Sequence, residues 1–349
     1  MNEVKIGKRI VGGDNPCFTI AEAGANHDSS VENAKKLIDA AIQSKADSIK
    51  FQTYKASKLV TKTAPKYWED GIKNETQHDV FSKLDKLTDD DWKQIFDYAR
   101  EKIMCFSTPF DENSVDLLYS FQVLAFKIAS ADITHLPLIK YTAKKQLPMF
   151  ISTGMASENE IQEAVNVIKD TGNHNIIIMH CMTSYPTKPE DANLEMIKTL
   201  SKRFTDCVIG YSDHTLSTTI AVCSTFYGAK CIEKHFTYNT KLTESRDHRL
   251  SLDEEGFSRL VSELRIVEIS KGKSVRDSFA SEAEAIKFAR RSVVSTQKIP
   301  KGTIITKEMV DIKRPATGLA PKLLSKVIGS KAIKDIQEDS PIQAEYLSI

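Results

Sequence analysis

Ionisable side chains recur inside otherwise apolar runs of this chain, where packing alone gives no reason for them. Lys50 stands in SIKFQT and Lys127 in AFKIAS, while Glu22 lies in FTIAEAG and Glu233 in CIEKHF. A buried ammonium is costly unless an anion compensates it. Two such lysines, with the hydroxyls of Ser107, Thr108, Ser130, Ser152, Thr153, Thr183 and Ser212 at the ends of neighbouring runs, suit a phosphate and a carboxylate. The plainer alternative is that each lysine pairs with Glu22 or Glu233 as a structural bridge. His214 and His235 end consecutive runs, where two neutral imidazoles would share one divalent cation and leave it open positions. Oxygen donors from substrate and water would complete a shell compatible with manganese or magnesium. Glu22, the deepest acidic residue of the first run, is the candidate for proton transfer. His180 and His27 read as orienting neighbours, and His78, His135 and His174 carry no assigned chemistry.

These residues need elements that bring them to one place. Eight short apolar runs, at 18–23, 48–53, 105–110, 125–130, 149–154, 176–181, 207–213 and 231–237, are each long enough for one buried strand. Amphipathic stretches alternate with them. Ser29 with Glu32 and Ser157 with Glu160 give capping-box spacings, and Thr88 opens a helix carrying Trp92, Ile95, Phe96 and Ala99. Eightfold alternation predicts a TIM (β/α)8 barrel, in which reacting groups lie at the C-terminal strand ends. The polar residues fall there. An open doubly wound sheet would show similar local patterns.

A long polar interruption at 55–87 has the character of an insertion over the barrel mouth. After residue 252 a helix with Phe257, Leu260, Val261, Leu264 and Val267 on one face completes the barrel. Residues 271–287 read as a charged connector. Beyond them, short β-like pieces broken by Pro300, Gly302, Pro315, Gly318 and Pro321 predict a small, loop-rich β domain. The expected division is a barrel at 1–272, a linker at 273–287 and the β domain at 288–349.

With 48 basic and 47 acidic residues the net charge is +1, which gives no ground for nucleic-acid or anionic-membrane binding. No run approaches the roughly 20 apolar residues that span a bilayer, and the N-terminus shows no secretory pattern. Six cysteines are scattered without a CxxC pair, as expected of reduced thiols in a cytoplasmic protein.

The segments IAEAGANH, IKFQTY, CFSTPF, FKIAS, ISTGM, HCMTSYPT, IGYSDHT and IEKHFT stand in the order found in the sialic acid synthases, which the chain resembles over nearly its whole length. The tail, with SVVSTQKIPKGTIITKEMV and IKRPATG, resembles the antifreeze-like (SAF, β-clip) domain of that family. The resemblance implies a domain-swapped homodimer that condenses phosphoenolpyruvate with an open-chain N-acetylated amino sugar to give a nine-carbon sugar acid and phosphate. It places Lys50, Thr108, Lys127, Ser130, Ser152, Thr183, Tyr185 and Ser212 around phosphoenolpyruvate. Gln52, Tyr185, Asp247 and Arg314 would face the sugar, with His214 and His235 on the metal. Glu22, Lys50, Lys127, Asp132 and Glu233 form the catalytic set. Asp132 replaces the glutamate of many members, and TESRDHRLSL replaces the GPD loop common in N-acetylneuraminate synthases, its ESxD arrangement being similar to relatives that make pseudaminic acid. The IAEAG, SDHT and TAPKYW contexts are similar to the neuraminate and legionaminate branches, which makes N-acetylmannosamine the first expectation and a 2,4-diacetamido-trideoxyhexose the second. Competing readings are a phosphoenolpyruvate aldol synthase acting on a sugar phosphate, a metal-dependent hydrolase, and a non-enzymatic carbohydrate- or ice-binding protein.

Overall fold

The computed structural model describes residues 2–68, 74–276 and 279–348. Two compact units divide the chain between Lys271 and Gly272. In the first, a hairpin of β1 (Glu3–Ile6) and β2 (Arg9–Gly12) precedes eight parallel strands: β3 (Phe18–Gly24), β4 (Ser48–Thr53), β5 (Met104–Pro109), β6 (Phe126–Ile128), β7 (Met149–Ser152), β8 (Ile176–Cys181), β9 (Val208–Asp213) and β10 (Cys231–His235). They close into a barrel because β10 pairs with both β9 and β3. The crossovers are α1 (Val31–Gln43) after β3, then α2 (Ala56–Leu59), α3 (Gln77–Leu84) and α4 (Asp89–Ala99) after β4. One helix follows each later strand: α5 (Glu112–Ser120), α6 (Leu136–Ala143), α7 (Glu158–Lys169), α8 (Glu195–Arg203), α9 (Thr219–Ser224) and α10 (Glu254–Ser270). Among the described residues no helix is long and apolar enough to cross a membrane.

Side chains alternate across a strand, so one parity fills the barrel and the other meets the helices. The lower interior is apolar, with Phe18, Ile20, Phe106, Phe150, Ile177, Met179, Val208 and Cys231 in one cluster. Val4, Ile6 and Val11 of the N-terminal hairpin join that cluster and cover the barrel floor. Burying each such side chain stabilises the unit by about 1.5–3 kcal/mol. Above this floor the inward positions turn polar. Outside, Ile49, Phe51, Ile128, Ile151, Ile178, Ile209 and Ile232 pack with the helices in the larger core.

Local signals account for most helix starts. Ser157 accepts from Glu160 N, and the Glu160 carboxylate accepts from Ser157 N at 2.7 Å, completing the expected capping box. Thr88 does the same with Asp91, and Thr76 with Asp79 starts α3 inside the insertion. The cap of α1 is Ser30 rather than Ser29. Asp28 and Ser29 turn the chain through left-handed φ values of 50° and 57°, so the extended residue able to cap comes one position later.

The second unit has two antiparallel pairs, β11 (Ser292–Ser295) with β12 (Val310–Lys313) and β13 (Lys331–Ala332) with β14 (Leu347–Ser348). Its core gathers Val293, Ile299, Ile305, Val310, Val327, Ile336, Ile342 and Leu347. Two short helices, α11 (Ala283–Phe288) and α12 (Leu324–Val327), complete it. The segment read as a connector thus ends in a helix, and Ala316 N donates to Lys287 O at 2.8 Å.

Candidate active site

The polar layer of the barrel lies directly above the apolar floor. Two residues up each strand from Ile20, Phe106 and Phe150 come Glu22, Thr108 and Ser152, and Lys50, Lys127, Ser212 and Glu233 complete the layer. Lys50 Nζ is 2.5 Å from Glu22 Oε2 and 3.8 Å from Glu233 Oε2, and it donates to Thr108 Oγ1 at 3.2 Å. Lys127 Nζ donates to Ser152 Oγ at 2.6 Å and lies 3.7 Å from Glu233 Oε1. Ser212 Oγ donates to Glu233 Oε1 at 2.9 Å, and Gln52 Nε2 to Glu22 Oε1 at the same distance. Both bridges of the plainer sequence reading therefore exist, with Glu233 shared between two lysines.

Burial and charge set distinct protonation tendencies here. Burial raises Glu22, more than Lys50 lowers it. Burial also disfavours ionised Glu233, yet Lys127, Lys50 and Ser212 together hold its carboxyl down at about 2. Lys50 is raised because Glu22 and Glu233 outweigh burial, whereas burial lowers Lys127. The layer thus has one carboxylate fixed as a counter-charge and one whose proton affinity burial raises, although its 2.5 Å pairing with Lys50 still favours the anion.

A second group lies at the strand ends. The rings of His214 and His235 are 5.3 Å apart, and Tyr185 is 4.2 Å from His214. His214 Nδ1 meets Met182 O at 2.8 Å, and Cys181 Sγ lies 3.9 Å from the same nitrogen. Asp247 Oδ2 is 3.7 Å from His235 Nδ1, an atom buried without a hydrogen-bond partner. Burial and His214 push His235 well below the ordinary histidine value, which leaves a neutral imidazole. Burial disfavours charge on His214 as well, but Cys181 and the Met182 carbonyl outweigh it and raise His214, so a cation bound at its second ring nitrogen would displace a proton there. The donor set fits a divalent cation with two protein nitrogens and open positions. Among the described residues no group of three His, Cys, Asp or Glu ligands converges.

Ser130 joins this group through Cys181 Sγ at 3.5 Å and accepts from Gly154 N at 3.0 Å. A Cβ on Gly154 would lie 2.1 Å from Thr183 Oγ1 and 2.9 Å from Ser130 Oγ. Gly154→Ala will therefore displace both hydroxyls and lower kcat/KM about 100-fold. Steady-state kinetics beside a thermal melt check this, and unchanged kinetics would refute the placement. Asp132 follows Ser130 in a 3-10 turn, and its Oδ2 is buried without a partner. Arg314 is exposed on the second unit.

Burial raises Asp132 from 3.8 to about 6 despite His135. Both states are protonated below 3.8. Between 3.8 and 6 the unfolded chain releases its proton first, so stability falls as pH rises. The variant Asp132→Asn should match the parent at pH 3.5 and exceed it at pH 7.5 by roughly 2 kcal/mol, allowing for partial exposure. Urea unfolding at the two pH values measures the difference, and an equal gain at both would exclude this cause.

Several features escaped the sequence reading. His180 faces outward, stacked 5.6 Å from Tyr211 with Nε2 2.9 Å from Ala192 O; on β8 the inward residue is Cys181. Strand parity, counted from Ile177 and Met179, was the signal for this. His27 packs edge-on against Trp92 at 5.3 Å. His248, fully buried, spans Thr237 Oγ1 at 2.7 Å and Asp28 at 3.1 Å, clasping the loop that carries Asp247. From the insertion, Tyr67 and Trp68 line a cavity of about 430 Å³ with Thr183, Ser184, Tyr185, Arg246 and Arg249. Trp68 stacks 4.6 Å from the Arg246 guanidinium. Residues 69–73 of the insertion lie outside the described residues.

A closed parallel barrel with a charged, hydroxyl-rich mouth, followed in the chain by a small β domain, defines a barrel enzyme with an appended SAF domain. Residues 37–276 match the NeuB family and residues 290–347 the SAF domain; the chain belongs to the NeuB family. A Methanocaldococcus jannaschii protein of uncharacterised function is 40% identical, covering 98% of both chains. The N,N'-diacetyllegionaminic acid synthase of Legionella pneumophila is 35% identical over 95% of this chain and 94% of its own. Among solved structures, the N-acetylneuraminic acid synthetase of Leptospira borgpetersenii, in complex with citrate, superposes with a TM-score of 0.72 at 32% identity, covering 82% of this chain and 95% of that one.

Proposed function

We propose that this chain is a transferase condensing phosphoenolpyruvate with open-chain N-acetylmannosamine and water to give N-acetylneuraminate and phosphate. The observation that carries the reading is the pair of buried lysines, Lys50 and Lys127, held by Glu22 and Glu233 beneath two imidazoles. Lys127 with Ser152, and Lys50 with Thr108, bind the phosphate and carboxylate. Ser130, Thr183 and Ser212 supply further hydroxyls, and Gln52, Tyr185 and Asp247 orient the sugar. His214 and His235 hold a divalent cation, manganese or magnesium, which when bound would supply Lewis-acid polarisation of the aldehyde.

Glu22 gives its proton to the aldehyde oxygen as the C3 carbon of phosphoenolpyruvate bonds to the aldehyde carbon. Its carboxylate then accepts a proton from the water that adds to C2. The bond between C2 and the phosphate oxygen breaks as the C2 hydroxyl becomes the ketone carbonyl, and phosphate leaves with that oxygen and with the hydroxyl proton. Glu233, ionised at about 2, is too weak a base for this transfer and serves to fix both lysines. Holding the two reactants in one geometry lowers the barrier by about 7–11 kcal/mol at best. The likeness to the legionaminic acid synthase favours a second sugar, a 2,4-diacetamido-trideoxyhexose. Phosphate release should require phosphoenolpyruvate and a sugar together, and product masses from a panel of N-acetylated hexoses decide between the two.

The reading includes a domain-swapped homodimer in which Arg314 serves the sugar site of the opposite barrel. Inactive Arg314→Ala and Lys127→Ala proteins should regain activity after subunit exchange, because a mixed dimer holds one intact barrel served by an intact arginine. Verified exchange without recovery would reject the shared site.

A further inference from the structure

Asp213 and Lys234 lie on the outer face of β9 and β10, directly opposite each other in the strand register. Each immediately precedes one of the two imidazoles at the mouth. Their neighbours on that face, Ile209, Tyr211, Ile232 and Phe236, are buried and pack in the helix-facing core. Against that surface the pair is buried almost completely, with Lys234 Nζ 2.7 Å from Asp213 Oδ2. An apolar pair would fill this layer at lower desolvation cost, so burial of two charges needs another explanation than stability.

The hydrogen bonds supply one. Asp213 Oδ1 accepts from Thr215 N at 2.9 Å, and its Oδ2 accepts from Thr215 Oγ1 at 3.1 Å. Lys234 Nζ donates to Thr215 O at 2.6 Å. The ion pair therefore grips the chain on both sides of His214, at residues 213 and 215, and ties that segment to the residue before His235. A shift of either strand end would break several short contacts at once. Tyr211 OH, 3.3 Å from Asp213 Oδ1, adds a further restraint from below.

We propose that Asp213 and Lys234 are positioning residues that fix the separation and aim of the His214 and His235 imidazoles for a divalent cation. The inference rests on the reading of those two histidines as cation ligands. Outer groups that orient metal ligands typically contribute 10–100-fold in affinity. Manganese titration of metal-free protein, followed by electron paramagnetic resonance of free manganese, measures this without any assay of turnover. The double variant Asp213→Asn/Lys234→Met should fold and bind manganese about 10–100-fold more weakly. Its affinity for phosphoenolpyruvate, measured by calorimetry without metal, should stay close to the parent's, because Lys50 and Lys127 are held by other contacts.

Unchanged manganese affinity in the folded double variant would overturn the proposal. So would an equal loss of both affinities, which would show that the pair merely supports the barrel. Should the double variant not fold, Asp213→Asn/Lys234→Gln removes both charges while keeping polar groups in their place, and parental manganese affinity there is equally contrary. His214→Ala/His235→Ala is the separate control: manganese binding as in the parent would refute the histidine reading itself.

Discussion

Lys127→Met will lower kcat/KM for phosphoenolpyruvate by about 100–1000-fold, the scale seen when one preorganised electrostatic contact is removed from a catalytic site. In the structure the lysine is bridged to Glu233. Its Nζ is buried between Ser152 and Glu233, on an inward-facing strand position where an apolar residue would otherwise stand. Methionine matches its stem and avoids the desolvation penalty, so the fold should survive. Glu233 keeps Lys50 at 3.8 Å and Ser212 at 2.9 Å as partners. Rates measured against phosphoenolpyruvate concentration, with a thermal melt beside them, check both halves. Kinetics like the parent's would make this lysine a structural bridge only.

Removing both imidazoles should have an effect at least as large. His214→Ala/His235→Ala should lose about 1000-fold or more in turnover, the equivalent of several kcal/mol of lost aldehyde polarisation. Chelator should inactivate the parent and manganese or magnesium should restore it, while the double variant responds to neither. Full activity of the metal-free double variant would sink the cation assignment.

Much of this was legible before the structure. All eight strands lie where short apolar runs predicted them, because a strand buried on both faces must be apolar along its length. The ionisable exceptions within those runs, Glu22, Lys50, Lys127 and Glu233, could be recognised for the same reason. What the sequence concealed depends on contacts between distant segments. Nothing in VKIGKRIVGG marks Val4, Ile6 and Val11 as the cover of a barrel floor formed partly by Val208 and Cys231. Likewise the clasp of His248 by Asp28 and Thr237 joins residues 220 positions apart. Asp213 and Lys234 do not stand out in the sequence, and only strand parity separates them from their inward neighbours Ser212 and Glu233.

Carbon–oxygen cleavage in the presence of both substrates is the central claim, and the isotopic content of the phosphate tests it most directly. The reaction is run in oxygen-18 water with phosphoenolpyruvate and N-acetylmannosamine, and the released phosphate is analysed by mass spectrometry. The account predicts phosphate free of the label, formed only when the sugar is present, since all four of its oxygens come from phosphoenolpyruvate. Labelled phosphate, or phosphate released from phosphoenolpyruvate alone, would contradict it.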